Sequence, residues 1–262
     1  MLKKRLIPKL LIKHRQMGNA VLPVLVTTRG YKGVRDVGDP VSQAKIYEAN
    51  LADELIVLNI DGTPIAGDQL MLDLIERLAS ETLMPLAVGG GVRAIEDFGA
   101  LLDHGADKVT INGAALTDPA LITAAANRFG AQCVVVAIDY RRGGDGAPRV
   151  FSGLTGETGL DPLEWARRAV DLGAGEIVLT DADRDGTGEG LDIPVCRRVA
   201  DAVSVPLIVS GGCGLAAHFV EGFEEGLAEG VAAGTFFCFR DQSPMQARAH
   251  IRNAGVPIRL EV

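Results

Sequence analysis

Asp139 closes the apolar run Val134-Val-Val-Ala-Ile138, which makes it the carboxylate in this sequence best placed for proton transfer. A carboxylate that closes an apolar strand, at the strand's carboxyl end, is well placed for general acid or base work. Three further carboxylates, Asp181, Asp183 and Asp185, alternate in Thr180-Asp-Ala-Asp-Arg-Asp-Gly-Thr187. The pattern D-x-D-x-D-G also opens calcium-binding loops. Those lie between two helices, whereas this one follows the strand-like Glu176-Ile-Val-Leu-Thr180, so no metal is expected.

The second chemical signal is a set of glycine-rich turns. Gly89-Gly90-Gly91 and Asn112-Gly113 follow two apolar runs in the first half of the chain. Ser210-Gly211-Gly212 and Gly234-Thr235 follow two in the second. Glycines let backbone N–H groups approach a phosphate, and a following helix adds a favourable dipole. Two such pairs suggest two phosphate sites and a substrate phosphorylated at both ends. A third signal lies at the other ends of the runs. Arg5, Glu54, Lys108 and Glu176 each open one, two charges of each sign, and charges buried there would be tolerated only as pairs.

These residues need a scaffold that collects many strand ends at one place. Short β-branched runs supply candidate strands at Arg5–Ile12, Glu54–Ile60, Pro85–Val88, Lys108–Asn112, Cys133–Asp139, Glu176–Thr180, Pro206–Val209 and Gly230–Gly234. Between them, three- and four-residue apolar spacing predicts helices at Asp68–Ser80, Ala94–His104, Asp118–Phe129, Pro162–Leu172, Ile193–Ala202 and Ala216–Ala228. Alternation of this kind gives either a closed parallel barrel or a doubly wound sheet. An internal repeat decides between them. Met84-Pro-Leu-Ala-Val-Gly-Gly-Gly91 resembles Val205-Pro-Leu-Ile-Val-Ser-Gly-Gly212, and Glu54-Leu-Ile-Val-Leu-Asn-Ile-Asp61 resembles Glu176-Ile-Val-Leu-Thr-Asp-Ala-Asp183. The offsets are nearly equal and about half the chain, as expected of a (β/α)8 barrel built from two similar half-barrels. Residues 1–262 then form one domain. Barrel sites lie at the carboxyl ends of the strands, where the glycine turns and Asp139 would meet.

Composition narrows the partners. A net charge of −8 argues against nucleic acid, which needs a basic stripe. No apolar run is long enough to span a membrane. Cys133, Cys196, Cys213 and Cys238 form no C-x-x-C pair and no zinc spacing, so reduced thiols and a cytoplasmic setting are expected. Met1 to Arg15 is basic with apolar stretches, but Pro8, Lys9 and Lys13 interrupt them, unlike a signal peptide. Nothing in the sequence calls for a cofactor.

Several segments taken in order resemble the cyclase subunit of imidazole glycerol phosphate synthase. They include Arg5-Leu-Ile-Pro8, Val37-Gly-Asp-Pro40, Ala52-Asp-Glu-Leu55, Val88-Gly-Gly-Gly91, Val135-Val-Ala-Ile-Asp139, Asp183-Arg-Asp-Gly-Thr187 and Ser210-Gly-Gly212, and the likeness runs on to Val256-Pro-Ile-Arg-Leu260. The resemblance implies a barrel that receives ammonia from a separate glutaminase subunit, a class I glutamine amidotransferase, and adds it to a phosphorylated or nucleotide-linked small molecule. It implies Asp139 as a catalytic acid/base and Asp185 as the acidic residue of the loop after the sixth barrel strand. Gly91, Asn112 and Gly113 would hold one phosphate, with Gly113 standing where a phosphate-donating Thr is usual. Gly186, Gly212, Gly234 and Thr235 would hold the other. Arg5, Glu54, Lys108 and Glu176 would form the gate through which ammonia enters.

One departure bears on the chemistry. The first strand of that family ends in a second catalytic Asp, in a sequence like I-P-C-L-D-V, where this chain has Ile7-Pro-Lys-Leu-Leu-Ile12. Strand alternation sets Arg5, Ile7, Lys9 and Leu11 on one face, so the inner wall exchanges a carboxylate for Leu11 and gains Lys9. The stretch from Lys13 to Gly38 is read as a long, altered loop, and Asn59 stands where an Asp is usual but points off the inner wall. Retained ammonia-handling residues beside altered substrate chemistry resemble the divergent cyclase-like proteins of surface-polysaccharide loci. With a glutaminase and an amidotransferase, those convert a sugar acetamido group to an acetamidino group. The histidine-pathway cyclase and a non-catalytic ammonia-channel subunit remain as alternatives.

Overall fold

The structure, a computed structural model, describes residues 3–239 and 242–259, so Leu260 lies outside the described residues. In chain order the elements are β1 (Arg5–Met17), β2 (Ala20–Arg29), β3 (Lys32–Gly38), α1 (Pro40–Ala49), β4 (Leu55–Asn59), α2 (Gln69–Glu81), β5 (Leu86–Gly89), α3 (Ile95–Asp103), β6 (Lys108–Ile111), α4 (Gly113–Thr117) and α5 (Ala120–Phe129). There follow β7 (Val134–Arg142), β8 (Pro148–Ser152), β9 (Gly156–Glu157), α6 (Pro162–Asp171), β10 (Glu176–Asp181), α7 (Ile193–Ala200), β11 (Leu207–Ser210), α8 (Ala216–Glu224), β12 (Gly230–Ala233), α9 (Thr235–Phe239) and α10 (Pro244–Asn253).

Eight of these strands pair in parallel in the order β10-β11-β12-β1-β4-β5-β6-β7, and β7 closes the ring on β10. The (β/α)8 barrel expected from the repeat is therefore present. Its interior is a layer of aliphatic side chains, among them Ile7, Ile56, Ala87, Val135, Val178 and Ile208, each pointing inward by the period-two rule. The residues between them, such as Leu6, Val57 and Val136, point outward and meet the helices. Helix α2 shows how that outer layer is specified. Asp68 caps its first turn by accepting from Met71 N–H at 3.1 Å. Met71, Leu74, Ile75 and Leu78 then form the buried stripe on the barrel.

The half-barrel repeat has a backbone consequence. Gly90 and Gly211 both adopt positive φ, and a Cβ on either would lie 2.0 or 2.3 Å from the carbonyl oxygen of Asn59 or Asp181, on the preceding barrel strand. The same close approach in both halves admits only glycine.

The segment Lys13–Gly38 departs from expectation. It is not a loop but an antiparallel extension in which β1 runs past the barrel rim and turns back as β2 and then β3. Pro23 is tolerated in β2 because β3 pairs only from Leu25 onward, so its missing N–H faces no partner. A second small hairpin, β8 and β9, follows β7. Helices α1, α4, α9 and α10 are likewise additional to those expected. Among the described residues no helix is long and apolar enough to cross a membrane.

Candidate active site at the barrel mouth

Asp139 sits at the rim end of the interior, two residues beyond Ala137 on β7, and opposite Thr180 on β10. Asn112, at the end of β6, donates its side-chain amide to Asp139 Oδ2 at 2.8 Å. Burial raises the Asp139 pKa to about 6. The positive charge of Lys9, the nearby Tyr31 hydroxyl and the hydrogen bond from Asn112 work in the opposite direction, and Asp185 adds to the rise. A carboxyl that changes protonation close to neutrality has the pKa that general acid or base catalysis favours.

Lys9 is buried at 4% exposure and crosses the mouth to Asp185 Oδ1 at 3.1 Å and Ser210 Oγ at 3.1 Å. Asp185 also accepts from Thr28 Oγ1 at 3.1 Å, which ties it to the β2–β3 hairpin. Leu11, one inward position beyond Lys9, is also buried. Asn59 points away from this wall as expected, donating to Thr63 and Asp68.

The residues expected to bind the second phosphate are brought together. Gly186, Gly212, Gly234 and Thr235 line one small depression with Ser210 and Asp185. The hairpin backbone rests on its rim, since a Cβ at Gly186 would meet Thr28 O at 2.1 Å. Those expected to bind the first phosphate do not form a matching open cradle. Asn112 turns its amide to Asp139, and the space beside Gly113 holds the Leu154 side chain of the second hairpin, 2.7 Å from where a Cβ would stand. Gly91 approaches the backbone of Thr63 instead.

The three alternating carboxylates do not converge. Asp181 accepts the N–H groups of Asp183 and Arg184, Asp183 accepts from Arg142 N–H, and Asp185 faces Lys9. Asp192, at the twelfth position of the loop counted from Asp181, is paired with Arg142. Among the described residues no group of three or more His, Cys, Asp or Glu side chains is placed to share a metal ion.

At the opposite end of the barrel, the four strand-opening charges form a closed ring. Arg5 donates to Glu54 at 2.6 Å and Glu176 at 2.5 Å, and Lys108 donates to the other oxygen of each at 2.8 Å. Burial opposes the charge of Arg5, but Glu176 and Glu54 outweigh it and raise the pKa. The aliphatic interior layer lies between this ring and Lys9.

Tyr31 is the site residue that the sequence did not expose. It occupies the tip of the β2–β3 hairpin, with its ring 6.2 Å from that of Phe151, the residue paired with Asp139 between β7 and β8. The Gly30-Tyr31 pair between β-branched runs was the available signal, because two turn residues between such runs mark a hairpin.

Among the described residues, Cys213 and its neighbour His218 form no glutamine-hydrolysing pair. Cys213 is buried, which pushes its pKa up, and the nearby His218 uses Nδ1 to accept Gly214 N–H at 3.1 Å. The purified chain is therefore expected to release no ammonia from glutamine in a coupled glutamate assay. Turnover by a homogeneous preparation would contradict this assignment.

Residues 5–243 match the protein family described as "Histidine biosynthesis protein". Over 262 residues, the whole of both chains, the sequence is 50% identical to a protein of Prochlorococcus marinus (strain MIT 9313) whose name provisionally assigns it as imidazole glycerol phosphate synthase subunit hisF2.

Proposed function

The chain belongs to the histidine biosynthesis protein family, and from that premise we propose that it is an imidazole glycerol phosphate synthase cyclase-like subunit using ammonia supplied by a glutaminase partner. Ammonia enters through the ring of Arg5, Glu54, Lys108 and Glu176, passes the aliphatic interior and reaches Asp139, the base that removes a proton from the attacking nitrogen. The substrate is a phosphorylated or nucleotide-linked small molecule. Its anionic group is held at Gly186, Gly212, Gly234 and Thr235.

The favoured role is amidination of a polysaccharide sugar, acetamido to acetamidino, in concert with an amidotransferase. The observation that carries this choice over the histidine-pathway reaction is the inner wall of β1. Leu11 supplies no carboxylate, and Lys9 engages Asp185 in an ion pair. The crowded space beside Gly113 fits the same reading, because a substrate phosphorylated at both ends needs both cradles. The histidine-pathway cyclase remains the second reading, favoured by the name of the relative from Prochlorococcus marinus.

Complementation distinguishes them. Expressed with a glutaminase partner in a strain lacking the histidine cyclase, the wild-type chain is expected to give no growth without histidine. Robust growth would reverse the choice and show that Asp139 and Asp185 suffice without a carboxylate at position 11.

A further inference from the structure

We propose that the Asn112–Gly113 side of the mouth is a subsite for an uncharged acylamino group, formed by Asn112 and by Leu154 of the second hairpin. The substrate that fits carries one anionic group, held at Gly212 and Gly234, and its acylamino group on the opposite side of the ring of strands. This assignment rests on the sugar-amidination reading above and names the residues that would recognise the acetamido group.

Space, hydrogen bonding and charge all argue against a phosphate here. A Cβ at Gly113 would stand 2.7 Å from Leu154 Cβ and 3.3 Å from its Cδ2. The nearer atom adjoins the Leu154 backbone, so a change of rotamer does not clear it. Ser152 Oγ, 3.2 Å from the same point, is engaged within the β8–β9 turn. It accepts Thr155 N–H at 3.0 Å and is hydrogen-bonded to Thr155 Oγ1 at 2.7 Å. Asn112 is bonded to the Asp139 carboxylate at 2.8 Å, which repels a second anion brought beside it. On the other side of the mouth, Lys9 Nζ bonds Ser210 and Asp185, and both of these line the depression expected to hold the anionic group.

The same atoms suit an acylamino group. With its amide nitrogen on the Asp139 carboxylate, Asn112 presents Oδ1 as an acceptor. That oxygen is shielded from water and has no donor among the described residues. An unpaired buried acceptor is unfavourable, and an incoming N–H relieves it. A phosphate dianion has only acceptors and offers nothing to Oδ1. An acylamino group brings both an N–H for Asn112 and a hydrocarbon end for Leu154, an apolar side chain left 59% exposed. Because Asn112 bonds Asp139, a group held there lies beside the proposed base.

Titration calorimetry of the isolated full chain with N-acetylglucosamine 1-phosphate, glucose 1-phosphate and glucose 1,6-bisphosphate tests the subsite. The first two differ by the acylamino group, the last two by a second phosphate. Wild type is expected to bind the acetamido sugar ~5–10²-fold more tightly than glucose 1-phosphate, because Asn112 Oδ1 gains a donor. It is expected to gain nothing from the second phosphate. Asn112→Ala should abolish the acetamido preference. Leu154→Gly, at an exposed turn position, should weaken that preference several-fold and leave glucose 1-phosphate binding unchanged. A preference below that range, no binding of either monophosphate, tighter binding of the bisphosphate, or a preference untouched by Leu154→Gly would overturn the proposal. None of these titrations contains ammonia or a partner. An acetamido preference without ammonium-dependent turnover would therefore strike the ammonia-using reading and leave the subsite standing. Turnover without the preference would strike the subsite alone.

Discussion

Replacing Asp139 with Asn is expected to lower ammonium-dependent turnover by ~10²–10⁴ and, at the same time, to make the protein more stable above neutral pH. The first effect follows from losing the proposed base. The second follows from the environment that makes it one. Burial lifts the Asp139 pKa from 3.8 to about 6. A carboxyl whose folded value lies above its unfolded value disfavours the fold once the unfolded group has ionised. That penalty is absent below about pH 4, grows between pH 4 and 6, and is complete above. The rise corresponds to ~2–3 kcal/mol, since each pH unit of difference is about 1.4 kcal/mol. Asn carries no charge and escapes the penalty, although it exchanges the hydrogen bond from Asn112 for a weaker one. Urea denaturation of both proteins at pH 4 and pH 7.5 separates these terms, because the hydrogen-bond loss is independent of pH and the ionisation penalty is not. The stability difference should shift in favour of Asp139→Asn by ~2–3 kcal/mol on going to the higher pH. A flat difference would show that Asp139 ionises without cost and is not tuned as a base. The wild-type rate should rise with pH through about 6, the range in which Asp139 becomes ionised.

The residues proposed for this chemistry were unequally visible in the sequence. Asp139 and the four ring charges were legible because strand alternation is strict: an inward residue at one end of a barrel strand fixes which residues face inward along its length. The barrel was legible because the half-repeat copies the same strand-to-glycine turn, down to the same backbone clash at Gly90 and Gly211. Helix α1 was missed although its start signal is present, with Asp39 accepting from Ser42 N–H at 2.7 Å and Pro40 in the first turn. Its weakly amphipathic body hid it, with Lys45, Glu48 and the exposed Ile46 among its ten residues. The β2–β3 hairpin was hidden for a different reason. A proline inside a run argues against a central strand, and only the pairing register shows that the Pro23 nitrogen faces an open edge. With the hairpin went Thr28, whose contact with Asp185 spans more than a hundred residues of chain.

The ring at the other end of the barrel gives the second large effect. Arg5 is 9% exposed, and both of its partners are more buried still, with Glu54 at 2% and Glu176 at 4%. Truncating it to Met strands two buried carboxylates, each left with Lys108 as its ring partner, and is expected to destabilise the protein by ~3–5 kcal/mol. Lys108 is partly open to solvent, at 21% of its side chain, so water can replace some of what Lys108→Met removes. The cost there is expected to be smaller, about 1–3 kcal/mol, and the fold should survive. Lys108→Met is therefore the variant that can report on ammonia passage. With the glutaminase partner present, product formed from glutamine should fall several-fold relative to wild type, while product formed from added ammonium chloride at the barrel mouth should be preserved. Two carboxylates without the lysine would hold ammonium at the entrance and release it poorly into an interior of Ile7, Ile56, Val135, Val178 and Ile208, which admits the neutral molecule and excludes the ion. Equal loss with both nitrogen sources would mean that the ring holds the strand ends together and does nothing for transport. Charge matters here more than bulk, so Lys108→Arg, which keeps the charge, should retain more of the glutamine-dependent rate than Lys108→Met does.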